Sequence, residues 1–208
     1  MFVLDLAATT ESSRLAMILL VFEGAAARPA QFESNPLNQE LMKVPEASVN
    51  KLNPPRLQER RALLMAGLQE HYTRETQTTI PEQWKRLPFG KIPGQLGHMA
   101  YGVVLNLDEK TGEFDYFCGV EIATVSPAHG NLKTYKSPHQ KYAIFCHREN
   151  VSRLRDTIHA IFTAWLPTSG QSLSHPTATS PNLIEYYGDN FDPESGTGDI
   201  EVWIPIKA

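Results

Sequence analysis

Two stretches of the chain alternate their side chains with a period of two, the mark of strands that bury one face. In 116–123, Cys118, Val120 and Ile122 share one side, and Phe117, Gly119 and Glu121 the other. In 199–206, Ile200, Val202 and Ile204 oppose Glu201 and Trp203. Residues 100–107 (AYGVVLNL) lead into the first stretch through the turn-forming DEKTG at 108–112, which predicts a hairpin. Further strands are predicted over 141–147 (KYAIFCH) and 183–187. Residues 56–72 read as a strand broken or bent at Gly67, with helix as the competing reading.

The period changes to that of a helix in two places. Residues 79–87 (TIPEQWKRL) combine a capping Thr79, Pro81 and Glu82 in a first turn, and Trp84 and Leu87 on one face. Downstream of Asn150 and Ser152, Leu154, Ile158, Ile161, Phe162 and Trp165 form a single helical stripe that Pro167 and Gly170 should end. The order strand, helix, hairpin, strand, helix, strands predicts an α+β fold. Two similar strand-helix-strand-strand halves would build one antiparallel sheet with its helices on one face. Residues 90–97 are expected to be loop; their glycines lack the flanking elements and the GK[ST] of a phosphate-binding loop, which argues against nucleotide binding.

The first 53 residues differ in character, being alanine-rich and then polar. Adjacent Pro54 and Pro55 remove two backbone donors, which places a boundary between an N-terminal extension (1–53) and the main domain (54–208). A net charge of −4 over 208 residues supplies no basic footprint, so DNA binding by this chain alone is not expected. The apolar run at 15–22 is too short to span a bilayer, and acidic Asp5 and Glu11 spoil it as a secretion signal. Cytoplasmic location and no membrane association are the expectation. Seven histidines and two cysteines show no metal-ligand spacing, and no serine or cysteine stands in a nucleophile motif, so neither metal, cofactor nor catalytic residue is assigned. Cys118 and Cys146, both in apolar strand contexts, are expected to be buried thiols.

If the aliphatic strand faces lie under the helices, Glu121 and Glu201 stand on the other side of the sheet with Phe117 and Trp203 beside them. A face meant only for water has little use for such rings, whereas a ligand groove is mostly apolar with a few placed polar groups. Tyr101 and Tyr187 are candidate walls. Two carboxylates among aromatic faces suit a small organic ligand that is cationic or aromatic.

The runs YGVVLNLDEKTGEFDYFCGVEIA, KYAIFCHRENVSRLRDTIHAIFTAWLPTSG, IEYYGDNFDP and IEVWIPI together resemble the GyrI-like effector-binding domain, in order and in spacing, over about 55–207. The resemblance implies a central ligand groove in the duplicated fold and carries over Glu121 and Glu201 as pocket acids. Tyr187 matches the tyrosine of a Phe-Glu-x-Tyr pattern in which Ile184 stands for phenylalanine. It also implies a role as the effector-binding part of a transcription regulator or as a stand-alone ligand binder. Two alternatives come with it: hydrolysis of reactive electrophilic compounds by the same glutamates, and a protein partnership of the DNA gyrase inhibitor kind. Within the 1–53 extension, DLAATTESSRL and then VFEGAAARPAQF resemble the eroded end of the second helix-turn-helix of an AraC-type DNA-binding domain.

Overall fold

The computed structural model describes residues 52–108, 110–174 and 179–208; the extension and its helix-turn-helix resemblance lie outside them. Eight strands make one antiparallel sheet: β1 (Arg56–Arg60), β2 (Leu64–Tyr72), β3 (Gln95–Leu105), β4 (Phe114–Ile122), β5 (Lys133–Lys136), β6 (Gln140–His147), β7 (Leu183–Tyr187) and β8 (Ile200–Pro205). Helix α1 (Ile80–Arg86) connects β2 to β3, while α2 (Leu154–Ala160), a π-helical turn (Ile161–Trp165) and α3 (Leu166–Thr168) connect β6 to β7. The sheet order is β1-β6-β8-β7-β3-β4-β2-β5.

That order contains the expected duplication. The half β2-α1-β3-β4 is arranged β3-β4-β2, and the half β6-α2-β7-β8 is arranged β7-β8-β6; they meet where β3 pairs with β7. Beneath the helices, Cys118, Val120, Ile122, Ile200, Val202 and Ile204 join Leu154, Ile158, Ile161 and Phe162 in one core, as the period-two and helical stripes predict.

Two local expectations need correction, and one strand was not predicted. The 56–72 segment is two strands broken at 61–63, with Gly67 inside β2. Gly67 faces Gly119 of β4, and a Cβ there would meet the Cys118 carbonyl oxygen at 2.0 Å, so the glycine serves close strand approach, not a bend. Residues 95–97, expected as loop, already belong to β3, whose register with β4 shifts between Gln95 and Ala100; a bulge disrupts the alternation on which the sequence reading relied. The edge strand β5, with only Tyr135 buried, gave no apolar run to find.

The consequential feature is where β1 lies. It pairs with β6 at one edge, while β2, three residues later, is seventh in the sheet. In a flat sheet these strands would be about 29 Å apart at roughly 4.8 Å per strand, yet the link from Arg60 to Leu64 reaches at most ~14 Å. The sheet therefore curls. Its concave side is the face that none of the described helices covers, across which the link passes, and there Leu63, Met65, Tyr101, Val103, Phe117, Tyr142, Ile184 and Trp203 form a second core.

Candidate functional site

Period-two alternation sends five of the six sequence-predicted site residues to the concave face. Phe117, Tyr101 and Trp203 belong to the second core, and Glu121 and Glu201 share their side of β4 and β8. Tyr187 does not join them. It lies on the helical side, packed in the first core.

On the concave face both acids already hold a cation of this chain. Arg61 Nη2 donates to Glu121 Oε1 at 2.5 Å, and Arg56 Nη2 to Glu201 Oε1 at 2.8 Å. Trp203 Nε1 donates to the other oxygen of Glu201 at 2.8 Å. The Arg60 guanidinium carbon sits 4.6 Å from the centre of the Trp203 ring, a cation–π seat. Trp203 in turn stacks on Tyr186 at 5.3 Å and contacts Tyr142 and Tyr101 at 5.8 and 6.2 Å. The two acids stand three strands apart, about 14 Å by strand spacing, with Tyr186 and Tyr101 in the rows between.

The helical side holds a carboxyl that the sequence reading passed over. Glu185, on β7 where the two halves join, is 8% exposed. Tyr116 and Tyr187 both donate to its Oε2, at 2.5 and 3.0 Å, and Oε1 receives no hydrogen bond among the described residues. Trp84 of α1 donates through Nε1 to the Tyr116 hydroxyl at 3.1 Å and meets the Tyr187 ring edge-on at 5.4 Å; Phe191 closes on Tyr187 at 4.9 Å. The ion pairs among the described residues do not include Glu185. Burial raises its carboxyl above the ordinary range, against the two phenol hydrogen bonds. The same burial, with the nearby acid, holds both phenols far above theirs.

A signal for Glu185 was present: in 183–187 the alternation puts it on one face with Leu183 and Tyr187, an acid on the side that should be apolar. It also occupies the glutamate position of the Phe-Glu-x-Tyr pattern that Tyr187 matches.

The thiols separate as well. Cys118 is buried, but Cys146 is exposed, contrary to expectation, because it sits at the end of β6 opposite Glu201; its Sγ accepts from Arg56 Nη1 at 3.5 Å. A surface hollow of about 380 Å³ lies elsewhere, walled by Glu59, His139, Gln140 and Lys207 among others and by none of the acids above. Among the described residues no group of three His, Cys, Asp or Glu side chains is placed to hold a metal ion, and no helix is long and apolar enough to cross a membrane.

Comparison with known proteins agrees with this architecture. Residues 53–207 match the GyrI-like small molecule binding domain family. The transcriptional regulator BrlR of Pseudomonas aeruginosa is 28% identical over 155 residues, which are 73% of this chain and 54% of that regulator, so the chain spans about half the length of that relative. Among solved structures, SAV2435 bound to tetraphenylphosphonium superposes with a TM-score of 0.57 at 20% identity, covering 75% of this chain and 95% of that one. A bacterial transcription regulation protein of Staphylococcus aureus gives 0.56 at 20% identity, over 74% of this chain and 98% of its own. At such identities the likeness is one of fold.

Proposed function

Because the chain belongs to the GyrI-like small molecule binding domain family, we propose that its main domain captures a lipophilic organic cation at the seam between its two halves, with Glu185 as the counter-charge. The observation that carries this reading is a buried carboxyl with aromatic neighbours and no cation paired with it among the described residues. Burying such a group without a charged partner costs several kcal/mol, and a protein that only had to fold would gain by replacing it. A cation arriving between Trp84 and Tyr187 would relieve that cost and add contacts to ring faces, each worth about 0.5–2 kcal/mol. Oε1 is the oxygen left for it. Tetraphenylphosphonium, the ligand of SAV2435, is a cation of the kind this arrangement suits.

Glu121 and Glu201 take a different part in this reading. Each is neutralised by an arginine of its own chain, so neither offers a free charge. The likeness to BrlR favours a place in transcription regulation, with the domain sensing the effector; acting alone, it would sequester it.

Titration with tetraphenylphosphonium tests the assignment. Glu185→Gln should weaken binding on the order of 10- to 100-fold, in line with the loss of one charge-assisted contact in a dry site. Glu121→Gln with Glu201→Gln should leave the affinity within about threefold, well below the tenfold that 1.4 kcal/mol represents. The reading fails if the Glu185 variant binds as the parent does.

A second reading has one specific observation in its favour: the raised carboxyl of Glu185, hydrogen-bonded to Tyr116 at 2.5 Å, is suited to keep a proton and act as a general acid on a reactive electrophile. Incubation with a strained cyclopropane-containing compound separates the two, since a binder returns it unaltered.

A further inference from the structure

The seam at Glu185 is walled by Trp84, and Trp84 belongs to a helix too short to hold itself. α1 has seven residues, below the length at which a helix is stable alone, so its place over the sheet is set by what its side chains reach. Three of them reach the sheet with polar groups. Arg86 Nη2 donates to Glu70 of β2 at 2.6 Å, but the pair is open to water, and a surface pair of this kind fixes little. Trp84 donates to the Tyr116 hydroxyl at 3.1 Å. The third is Gln83, which is fully buried.

Glutamine is ordinarily a surface residue, and an amide taken into a core must satisfy its own hydrogen bonds. Gln83 satisfies its donors and its acceptor. Nε2 donates to the backbone carbonyls of Leu68 at 2.9 Å and of Tyr116 at 3.1 Å, and Oε1 accepts from the Tyr72 hydroxyl at 3.0 Å. Leu68 and Tyr116 lie diagonally across the β2–β4 pairing, Leu68 opposite Cys118 and Glu70 opposite Tyr116. One side chain therefore ties α1 to two strands at once. An apolar residue there would dock the helix yet let it slide, whereas three directional bonds fix both its rotation and its height.

Consecutive residues of α1 thus hold Tyr116 at opposite ends, Gln83 at the carbonyl and Trp84 at the phenol. That phenol is the group that donates to Glu185 Oε2 at 2.5 Å. We propose that Gln83 is a positioning residue of the cation site, an assignment that rests on the reading of Glu185 as its counter-charge. The amide sets where Trp84 stands against Tyr187 and how Tyr116 meets the carboxyl, without touching the ligand. Loss of its bonds lets α1 turn, and the indole wall and the phenol shift together because both hang from the same clamp.

The test uses the full chain, nitrogen-15 labelled, with Gln83→Met, which keeps the length of the side chain and removes its hydrogen bonds. Tyr72→Phe, which removes one of the three, carries the same test if Gln83→Met does not fold. The first readout is the indole N–H resonance of Trp84, identified by its loss in Trp84→Phe. In the variant it should move, and its exchange with water should quicken about tenfold or more as the bond to Tyr116 opens. Ile158→Val, a core change on α2 in the other half of the fold, lowers stability by an ordinary packing loss and should leave that resonance where it is. The second readout is tetraphenylphosphonium affinity, which should fall about fivefold or more in Gln83→Met with Glu185 intact. The proposal is overturned if the Trp84 resonance and its exchange match the parent in the folded variant, or if the variant binds as tightly as a binding parent. Failure of the parent itself to bind overturns the cation reading of Glu185, whereas an unmoved Trp84 overturns the clamp, so the two failures are told apart.

Discussion

Gly102 stands directly opposite Glu185 across the β3–β7 pairing, and a Cβ at that position would lie 2.1 Å from the Tyr116 hydroxyl and 2.5 Å from Glu185 Oε2. The missing side chain is what lets a carboxyl and a phenol meet at the seam. Gly102→Ala should therefore displace both groups, costing about 1–3 kcal/mol as overpacking does. A lower urea midpoint at unchanged slope, together with weakened tetraphenylphosphonium binding, is the expected result.

Glu185→Gln should separate stability from binding. Glutamine retains acceptor capacity for Tyr116 and Tyr187 but removes the charge whose burial is costly, so the thermal midpoint should stay within a few degrees or rise while cation affinity drops. A variant that is both unable to bind and strongly destabilised would argue that the carboxylate is structural.

The pH dependence follows from the direction of the Glu185 shift. The folded carboxyl is raised above its unfolded value, so the folded state holds the proton over a pH range in which the unfolded chain has lost it. Its contribution to stability is therefore present at low pH and declines as pH rises through the folded value. Cation binding runs the other way, strengthening over the same interval as the carboxylate forms. Parallel melting and titration series in the parent and in Glu185→Gln should show both trends in the parent and neither, at this site, in the variant.

The Arg61–Glu121 pair should respond asymmetrically. Arg61 is two-thirds exposed and Glu121 almost enclosed, with side-chain exposures of 68% and 6%. Removing the arginine leaves an enclosed carboxylate without its counter-ion, whereas Glu121→Gln leaves an arginine in water. Arg61→Ala should cost about 1–3 kcal/mol and Glu121→Gln well under 1 kcal/mol, as denaturant titration can measure.

The two thiols should label at different stages. Cys146 is exposed, while Cys118 is buried and its thiol is pushed up to about 12, chiefly by burial. A maleimide should modify Cys146 in the folded protein and reach Cys118 only on unfolding, which mass spectrometry of the peptides resolves.

Much of the architecture was legible because it rests on local periodicity. The faces of β4 and β8 and the stripe from Leu154 to Trp165 follow from spacings within one element, and the duplicated order from the succession of such elements. The site was less legible because it depends on distant partners. Nothing in RLQERR announces that Arg56 meets Glu201 or that Arg61 meets Glu121, so both acids read as free. The curl that buries Phe117 and Trp203 without any of the described helices over them comes from strand order, which alternation does not encode. Glu185 was overlooked for the opposite reason: it breaks the apolar pattern of its own strand, and such a break marks function only once the seam is seen.

The pairing of β1 with β6 also sets an order of assembly. Arg56 has no strand to dock on until Ile144, its partner, exists and lies in the sheet, although β2 can join β4 much sooner. During synthesis the arginine stretch must wait, unpaired, while the first half forms, and the long loop it finally closes is of the kind that slows folding. Slow refolding and early susceptibility to proteases cutting after arginine are the expected consequence of fastening the two rims of the sheet through β1.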